Sequence, residues 1–251
     1  MGLDLLRGKV AVITGAHRGI GLAILERFAA YGASIRVVNR CADPAFTDRC
    51  RALGQEHGVS IAEAYADFSD EAQVKDAARE LCAMKPAPDI LVNNVGIAGS
   101  TMMFTMTRME AVRRSFEVNL FSAIALTQAV SRQMMRQRRG SIIFLSSSAA
   151  FDGGAGIDYS ASKAAVIGAA RRMAVELGKF GIRVNALAPG LTRTDMGAVT
   201  SQADQAQAAS RAVLGRIAEP SEIADAAAFL ASDLSRFVTG QVLRVDGGIL
   251  R

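Results

Sequence analysis

Tryptophan is absent from this 251-residue chain, and cysteine, proline and tyrosine are scarce, at three, five and three residues. Cys41, Cys50 and Cys82 make no even set and lack metal-ligand spacing, so neither a disulfide framework nor a metal site is expected. Reduced thiols of a cytoplasmic protein are the simpler reading. No apolar run is long enough to span a bilayer, so no membrane attachment is expected. Met1–Arg7 has no basic stretch followed by a long apolar one, so no signal peptide is expected, and with Leu6 off the myristoylation pattern no such anchor is expected either. Long runs of one charge are missing as well. The densest basic patch, Gln133–Arg139, reads as an exposed helix end whose cations suit the helix dipole, not as a nucleic-acid arm. Linkers, internal repeats and low-complexity segments are not found, so residues 1–251 are expected to form one domain.

What is present supports a large core. Half the residues are hydrophobic, 21% are charged, and glycine is frequent at 23 residues. The net charge of +5 suits a basic surface or an anionic ligand. Apolar runs at 9–14, 34–39, 59–65, 89–93, 141–145, 182–187 and 241–245 read as strands. Helical patterns fall between them, from Leu22 to the stop at Gly32, and over 45–57, 69–83, 108–138, 159–180 and 221–231; 191–216 is polar and weakly patterned. Continuous apolar strands alternating with helices predict an α/β fold, a parallel sheet covered on both faces.

Three stretches carry chemistry. The first is Gly15-Ala16-His17-Arg18-Gly19-Ile20-Gly21, which follows a strand and opens a helix. Small residues there let a pyrophosphate approach free N–H groups at a helix N-terminus. The second strand then ends in Asn39-Arg40, where an NAD site usually has an acid for the ribose 2′-hydroxyl. Two cations, Arg18 and Arg40, and no acid suit a 2′-phosphate, which predicts NADP(H). The Asn93 and Asn94 amides, with Val95 and Gly96, could support the neighbouring strand or line the adenosine side. Asp67 could accept from the adenine amino group or be a turn residue.

The third stretch joins Ser146-Ser147-Ser148 to Tyr159 and Lys163, which stand four residues apart and so share a helix face. An ammonium beside a phenol favours phenolate and is expected to lower its pKa. Such a phenol would protonate a carbonyl oxygen or deprotonate an alcohol, with a serine hydroxyl steadying that oxygen.

With these motifs in order, essentially the whole chain resembles the short-chain dehydrogenase/reductase family. The matching residues are Thr14-Gly15 to Gly21, Asn93 to Gly96, Asn119 in Glu117-Val118-Asn119-Leu120, the serine strand, Tyr159 to Lys163, Pro189-Gly190 to Thr194, and Thr239-Gly240-Gln241 to Gly248. Val95 departs from the usual alanine. The resemblance implies a single-domain Rossmann-type fold with a seven-stranded parallel sheet in the order 3-2-1-4-5-6-7. It implies a catalytic tetrad of Asn119, Ser147, Tyr159 and Lys163, with Asn119 holding a water that relays protons to Lys163. Cofactor contacts carried over are Gly15, His17, Arg18, Gly19, Ile20, Gly21, Asn39, Arg40, Asp67, Phe68, Asn93, Val95, Gly96, Tyr159, Lys163, Pro189, Gly190, Thr192 and Thr194. Counting back from Tyr159 by the commonest family spacing selects Ser146; strand register selects Ser147, which is preferred because register fixes side-chain direction.

The resemblance further implies a substrate lid over about 191–216 and, by analogy, a homotetramer. Met102, Met103, Phe104, Phe151, Ile157, Met196, Val199 and Val213 suit an apolar pocket. The expected activity is NADP(H)-dependent hydride transfer between nicotinamide and a small-molecule ketone or secondary alcohol. The alternatives are a reductase of carrier-protein-bound 3-oxoacyl groups and, from a different class, a non-catalytic nucleotide-binding protein.

Overall fold

Seven short runs rich in Val, Ile, Leu and Ala become the strands β1 (Val10–Thr14), β2 (Ser34–Asn39), β3 (Ile61–Tyr65), β4 (Ile90–Asn93), β5 (Gly140–Leu145), β6 (Ile182–Pro189) and β7 (Val242–Val245). In the computed structural model, which describes residues 4–100, 102–194 and 202–249, they form one parallel sheet in the order β3-β2-β1-β4-β5-β6-β7. Alternate residues of each strand enter different cores. Ala11, Ile13, Ile90, Val92, Ile143 and Leu145 pack on one face; Val12, Leu91, Ile142 and Phe144 pack on the other. Burial on both faces is why the central strands β1, β4 and β5 read as nearly unbroken apolar runs.

The first face is covered by α1 (Gly19–Ala30), α2 (Pro44–His57) and α9 (Pro220–Ala231), with α1 packed on α9. The second carries α3 (Glu71–Cys82), α4 (Met109–Phe116), α5 (Ser122–Gln137) and α7 (Ile157–Leu177). Local chemistry sets their ends. Asp43 caps α2 by accepting the Ala45 N–H, Pro44 fits its first turn, and Gly58 stops it at φ 65°. Asp70 caps α3 through the Ala72 and Gln73 N–H groups.

Four expectations needed revision. The helix expected over 108–138 contains a π turn, Glu117–Phe121, between α4 and α5. A short helix α6 (Ala149–Asp152) follows the serines. The helix expected over 159–180 begins at Ile157, two residues before Tyr159. The weakly patterned segment holds α8 (Gln202–Arg211), whose small apolar residues give helix propensity without a broad hydrophobic stripe. Met196 and Val199, expected in the lid, lie outside the described residues.

β1 and β4 are neighbours, but their following chains leave on opposite faces of the sheet. That topological switch opens a crevice at the C-terminal strand ends, where ligands of open α/β sheets bind.

Candidate active site

At the crevice, β1 runs into the glycine loop and α1. Gly15 has φ +69°, and a Cβ on it would come 2.9 Å from the Val95 Cγ2. Gly21 has no such φ, but its Cβ would sit 2.1 Å from the Gly15 carbonyl oxygen and 2.5 Å from Asn94 Nδ2. The loop is held down by Asn94, whose Nδ2 donates to the Thr14 and Gly15 carbonyls at 3.0 and 2.8 Å. Thr14 Oγ1 in turn accepts from the Asn94 and Val95 N–H groups. The first turn of α1 has no acidic residue, and its N-cap, Arg18, makes no side-chain cap. No carboxylate there opposes an anion at the helix N-terminus, where a dipole and first-turn N–H groups favour one.

Asn39, at the end of β2, is 2% exposed; its Oδ1 accepts from the Ala16 N–H at 2.9 Å, while its Nδ2 has no hydrogen-bond partner. A buried orphan donor beside a glycine cradle fits a ribose-bearing ligand. Arg40 is exposed next to it. Asp67 lies in its field, and the Asp67 carboxyl is held below its ordinary range, first by hydrogen bonds from Ser69, then by Arg40 and Arg114. His17 leaves the loop for Asp43, Nε2 to Oδ2 at 2.7 Å, and meets the Phe46 ring edge-on. On the far side of the crevice, a Cβ on Gly19 would lie 3.2 Å from the Thr194 methyl, so the chain after β6 reaches the glycine loop. Gly190 packs on Asp246, and the buried Thr192 donates its hydroxyl to the Gly190 carbonyl.

The end of β5 and the first turns of α7 build the reactive edge. Lys163 is 4% exposed; its Nζ donates to the Leu145 carbonyl at 2.8 Å and lies 5.7 Å from the Tyr159 ring centroid. Burial pushes the amine down to about 8. The three serines separate by direction. Ser146 is buried and donates to the Lys163 carbonyl at 2.8 Å. Ser147 accepts from the Ala149 N–H at 3.2 Å and hydrogen-bonds the Tyr159 phenol. Contrary to the expectation of a lowered phenol, burial raises the Tyr159 pKa, and the Ser147 bond opposes it in a smaller sense. Desolvation is the larger cause, although the Tyr159 side chain is only partly buried.

Asn119 occupies the π turn. Its Oδ1 accepts from the Ile97 N–H at 2.8 Å, and its Nδ2 donates to Ser162 Oγ at 2.9 Å, so the side chain bridges the post-β4 segment to α7. A Cβ on Gly96 would lie 3.0 Å from Lys163 Nζ and 3.2 Å from Asn119 Oδ1, which brings all three together.

Two expected cofactor side chains point elsewhere. Phe68 is buried in the second core, and Asn93 Nδ2 donates to Thr127 of α5, leaving Asn93 Oδ1 without a partner. Strand alternation explains Asn93: it follows Val92, which faces the first core, so it faces the second. Asn94 supports the neighbouring strand, one of the two roles the sequence offered for it, whereas Ser162, Asp43 and Asp158 carry no role that the sequence alone suggests. Among the described residues, no cluster of His, Cys, Asp and Glu gathers as a metal site requires. None of the described helices is long and apolar enough to cross a membrane.

A family model described as enoyl-(acyl carrier protein) reductase matches residues 15–250. The 3-oxoacyl-(acyl-carrier-protein) reductase of Aquifex aeolicus is 34% identical over 249 residues, covering 97% of this chain and 98% of that protein. The chain belongs to the short-chain dehydrogenase/reductase family. Other members diverge in what their names say they act on. The 3α-hydroxysteroid dehydrogenase of Mediterraneibacter gnavus is 37% identical, covering 97% of each chain. A crystal structure of an NAD(P)-dependent gluconate 5-dehydrogenase, described as putative, from Beutenbergia cavernae with bound NADP superposes with a TM-score of 0.90 at 34% identity, covering 98% of each chain. This short-chain dehydrogenase/reductase is thus an oxidoreductase by family.

Proposed function

We propose that the protein is an NADP(H)-dependent reductase of ketones, and dehydrogenase of the matching secondary alcohols, that uses Tyr159 as its acid and base. The observation that carries this is the meeting of Ser147, Tyr159 and Lys163 at the same sheet edge as the glycine loop. NADP(H) supplies or accepts the hydride when bound. The first turn of α1 and Gly15–Gly21 would hold its pyrophosphate, and Arg18 and Arg40 its 2′-phosphate. Tyr159, kept protonated at neutral pH by burial, donates its phenolic proton to the carbonyl oxygen in reduction. Ser147 donates a hydrogen bond to that oxygen and stabilises the charge developing on it. Lys163 holds the phenolate by its charge, and Asn119 and Ser162 keep α7 in register with Gly96. Tyr159→Phe removes the proton donor and lowers kcat by about 10²–10⁴ with cofactor binding retained.

Relatives named for 3-oxoacyl-(acyl-carrier-protein) reduction favour a narrower version in which the ketone is a 3-oxoacyl thioester. One panel tests both: NADPH and NADH in parallel against simple ketones, steroid ketones, 3-oxoacyl thioesters and 2-enoyl thioesters. Oxidation of NADPH by a ketone, with higher kcat/KM than NADH, is expected. No turnover with any carbonyl would overturn the enzymatic reading and favour a nucleotide-binding protein. Arg40→Asp is expected to move preference toward NADH by about tenfold or more, the loss of one charge-assisted phosphate contact; an unmoved ratio refutes the 2′-phosphate role. Assembly as a homotetramer in the cytoplasm belongs to the same proposal, and light scattering at the mass of one 26.5 kDa chain would remove the tetramer.

A further inference from the structure

Asp158 precedes Tyr159 in the first turn of α7 and is 2% exposed. Its carboxylate holds the chain after β4 and also reaches α4. Oδ2 and Oδ1 accept the Ser100 N–H at 2.9 and 3.1 Å, and Oδ2 also accepts the Ser115 hydroxyl of α4 at 3.2 Å. Its charge is met by these donors and by the N-terminal end of the α7 dipole. The chain it holds lies directly against the phenol's backbone. A Cβ on Gly99 would come 2.5 Å from Tyr159 Cβ and 2.6 Å from Asp158 Oδ1, and a Cβ on Gly156 would come 2.0 Å from the Ser100 carbonyl oxygen. Glycine at 99 and 156 lets two backbones touch, and the buried carboxylate keeps them touching. The exposed Met102, Met103 and Phe104 continue from this strap, with the Met102 N–H tied to Ser100 Oγ.

We propose that Asp158 is a positioning residue that sets the width of the carbonyl mouth: by holding the Ser100 amide it straps residues 99–100 onto the Tyr159 turn and so discriminates slim from bulky ketones. The proposal rests on Tyr159 being the proton donor. A carboxylate suits the task because it accepts several hydrogen bonds at once and donates none. Removing it leaves the Ser100 N–H without its acceptor, and the strap lifts.

Two readouts test this, one of which needs no turnover. Hydrogen exchange of the Ser100 amide is expected to be about tenfold faster or more in Asp158→Ala than in wild type, with Asp158→Asn between them. With NADPH and two probe ketones, cyclohexanone and 1-decalone, the kcat/KM ratio of the slim to the bulky ketone is expected to fall by about tenfold in Asp158→Ala, with the KM for NADPH unchanged and Asp158→Asn restoring most of the ratio. A fold-wide defect would lower both ketones together. Ser115→Ala, which removes one contact and leaves no cavity at the charge, is expected to shift both readouts the same way by about two- to threefold, and serves if Asp158→Ala does not fold. A Ser100 amide as protected in the variants as in wild type, or an unchanged ratio, overturns the proposal. If wild type reduces neither ketone, the ketone-reductase reading fails for these probes, and Ser100 exchange still decides whether Asp158 holds the strap.

Discussion

Ser146 and Ser147 are adjacent and chemically identical, yet the structure gives them opposite surroundings. Ser146 is sealed against the Lys163 carbonyl; Ser147 meets the phenol. Ser147→Ala is expected to lower kcat by about 10²–10³, the usual cost of losing a donor to a developing oxyanion. Ser146→Ala should keep most turnover and lose about 1 kcal/mol of stability with its hydrogen bond. Steady-state kinetics and urea melts on the pair decide it; equal kcat values would refute the assignment. Lys163 yields a pH prediction. Its folded-state value, about 8, lies below the ordinary 10.5, so between these limits the unfolded chain binds more protons and stability rises with pH, and it falls again as pH drops through 8. The contribution is at most roughly 3 kcal/mol. Cys50, pushed up to about 11, and Tyr159, also raised, act in the opposite sense at high pH. The difference between wild type and Lys163→Met in urea midpoint, followed from pH 7.5 to 9.5, isolates the lysine. A flat difference counts against the burial shift.

Elements were legible to the extent that one local signal decided them. The strands follow from apolar runs because both sheet faces are buried. The start of α3 follows from Asp70, whereas the Asp43 cap of α2 emerges only in the structure. The π turn at Glu117–Phe121 was not legible, because the 3.6-residue pattern continues through it; the partners that engage Asn119, Ile97 and Ser162, lie 22 and 43 residues away. The same distance in sequence hid Asp158, whose partners Ser100 and Ser115 are also remote. The end of α8 is held by an ion pair that the sequence does not reveal, Arg211 to Asp152 at 2.8 Å. The glycine loop was legible as a motif, but the reason for each glycine was not. Gly21→Ala is a sharp test: alanine is the better helix former, yet its Cβ meets backbone at 2.1 Å. NADPH affinity, measured by fluorescence titration, is expected to fall by about tenfold or more as the loop is displaced. Unchanged affinity would mean the loop does not hold the cofactor.

At the scale of the molecule, the two ends of the sheet have separate tasks. The C-terminal ends carry the crevice. At the opposite ends the buried Asp89 accepts the Val10 N–H at 3.0 Å and the Arg139 Nε at 2.8 Å, joining β1, β4 and the turn after α5. Asp89→Ala strands the Val10 N–H and is expected to cost about 1–3 kcal/mol in a urea melt while leaving kcat within twofold of wild type. A large loss of kcat at full folding would show that the two ends are coupled.

Lys163 is fastened to β5 twice, by its own amine to Leu145 and by its carbonyl to Ser146. A beam pinned at two points cannot pivot on its support. The two bonds hold the first turns of α7 against the end of β5, so extra room for a larger guest is expected from the opposing side, residues 97–100 and the chain beyond β6. For directed evolution this divides the labour: with Gly99 left as it is, because a Cβ there meets Tyr159, libraries in the chain beyond β6 are expected to broaden the range of guests while kcat for a slim ketone stays within a few fold of wild type.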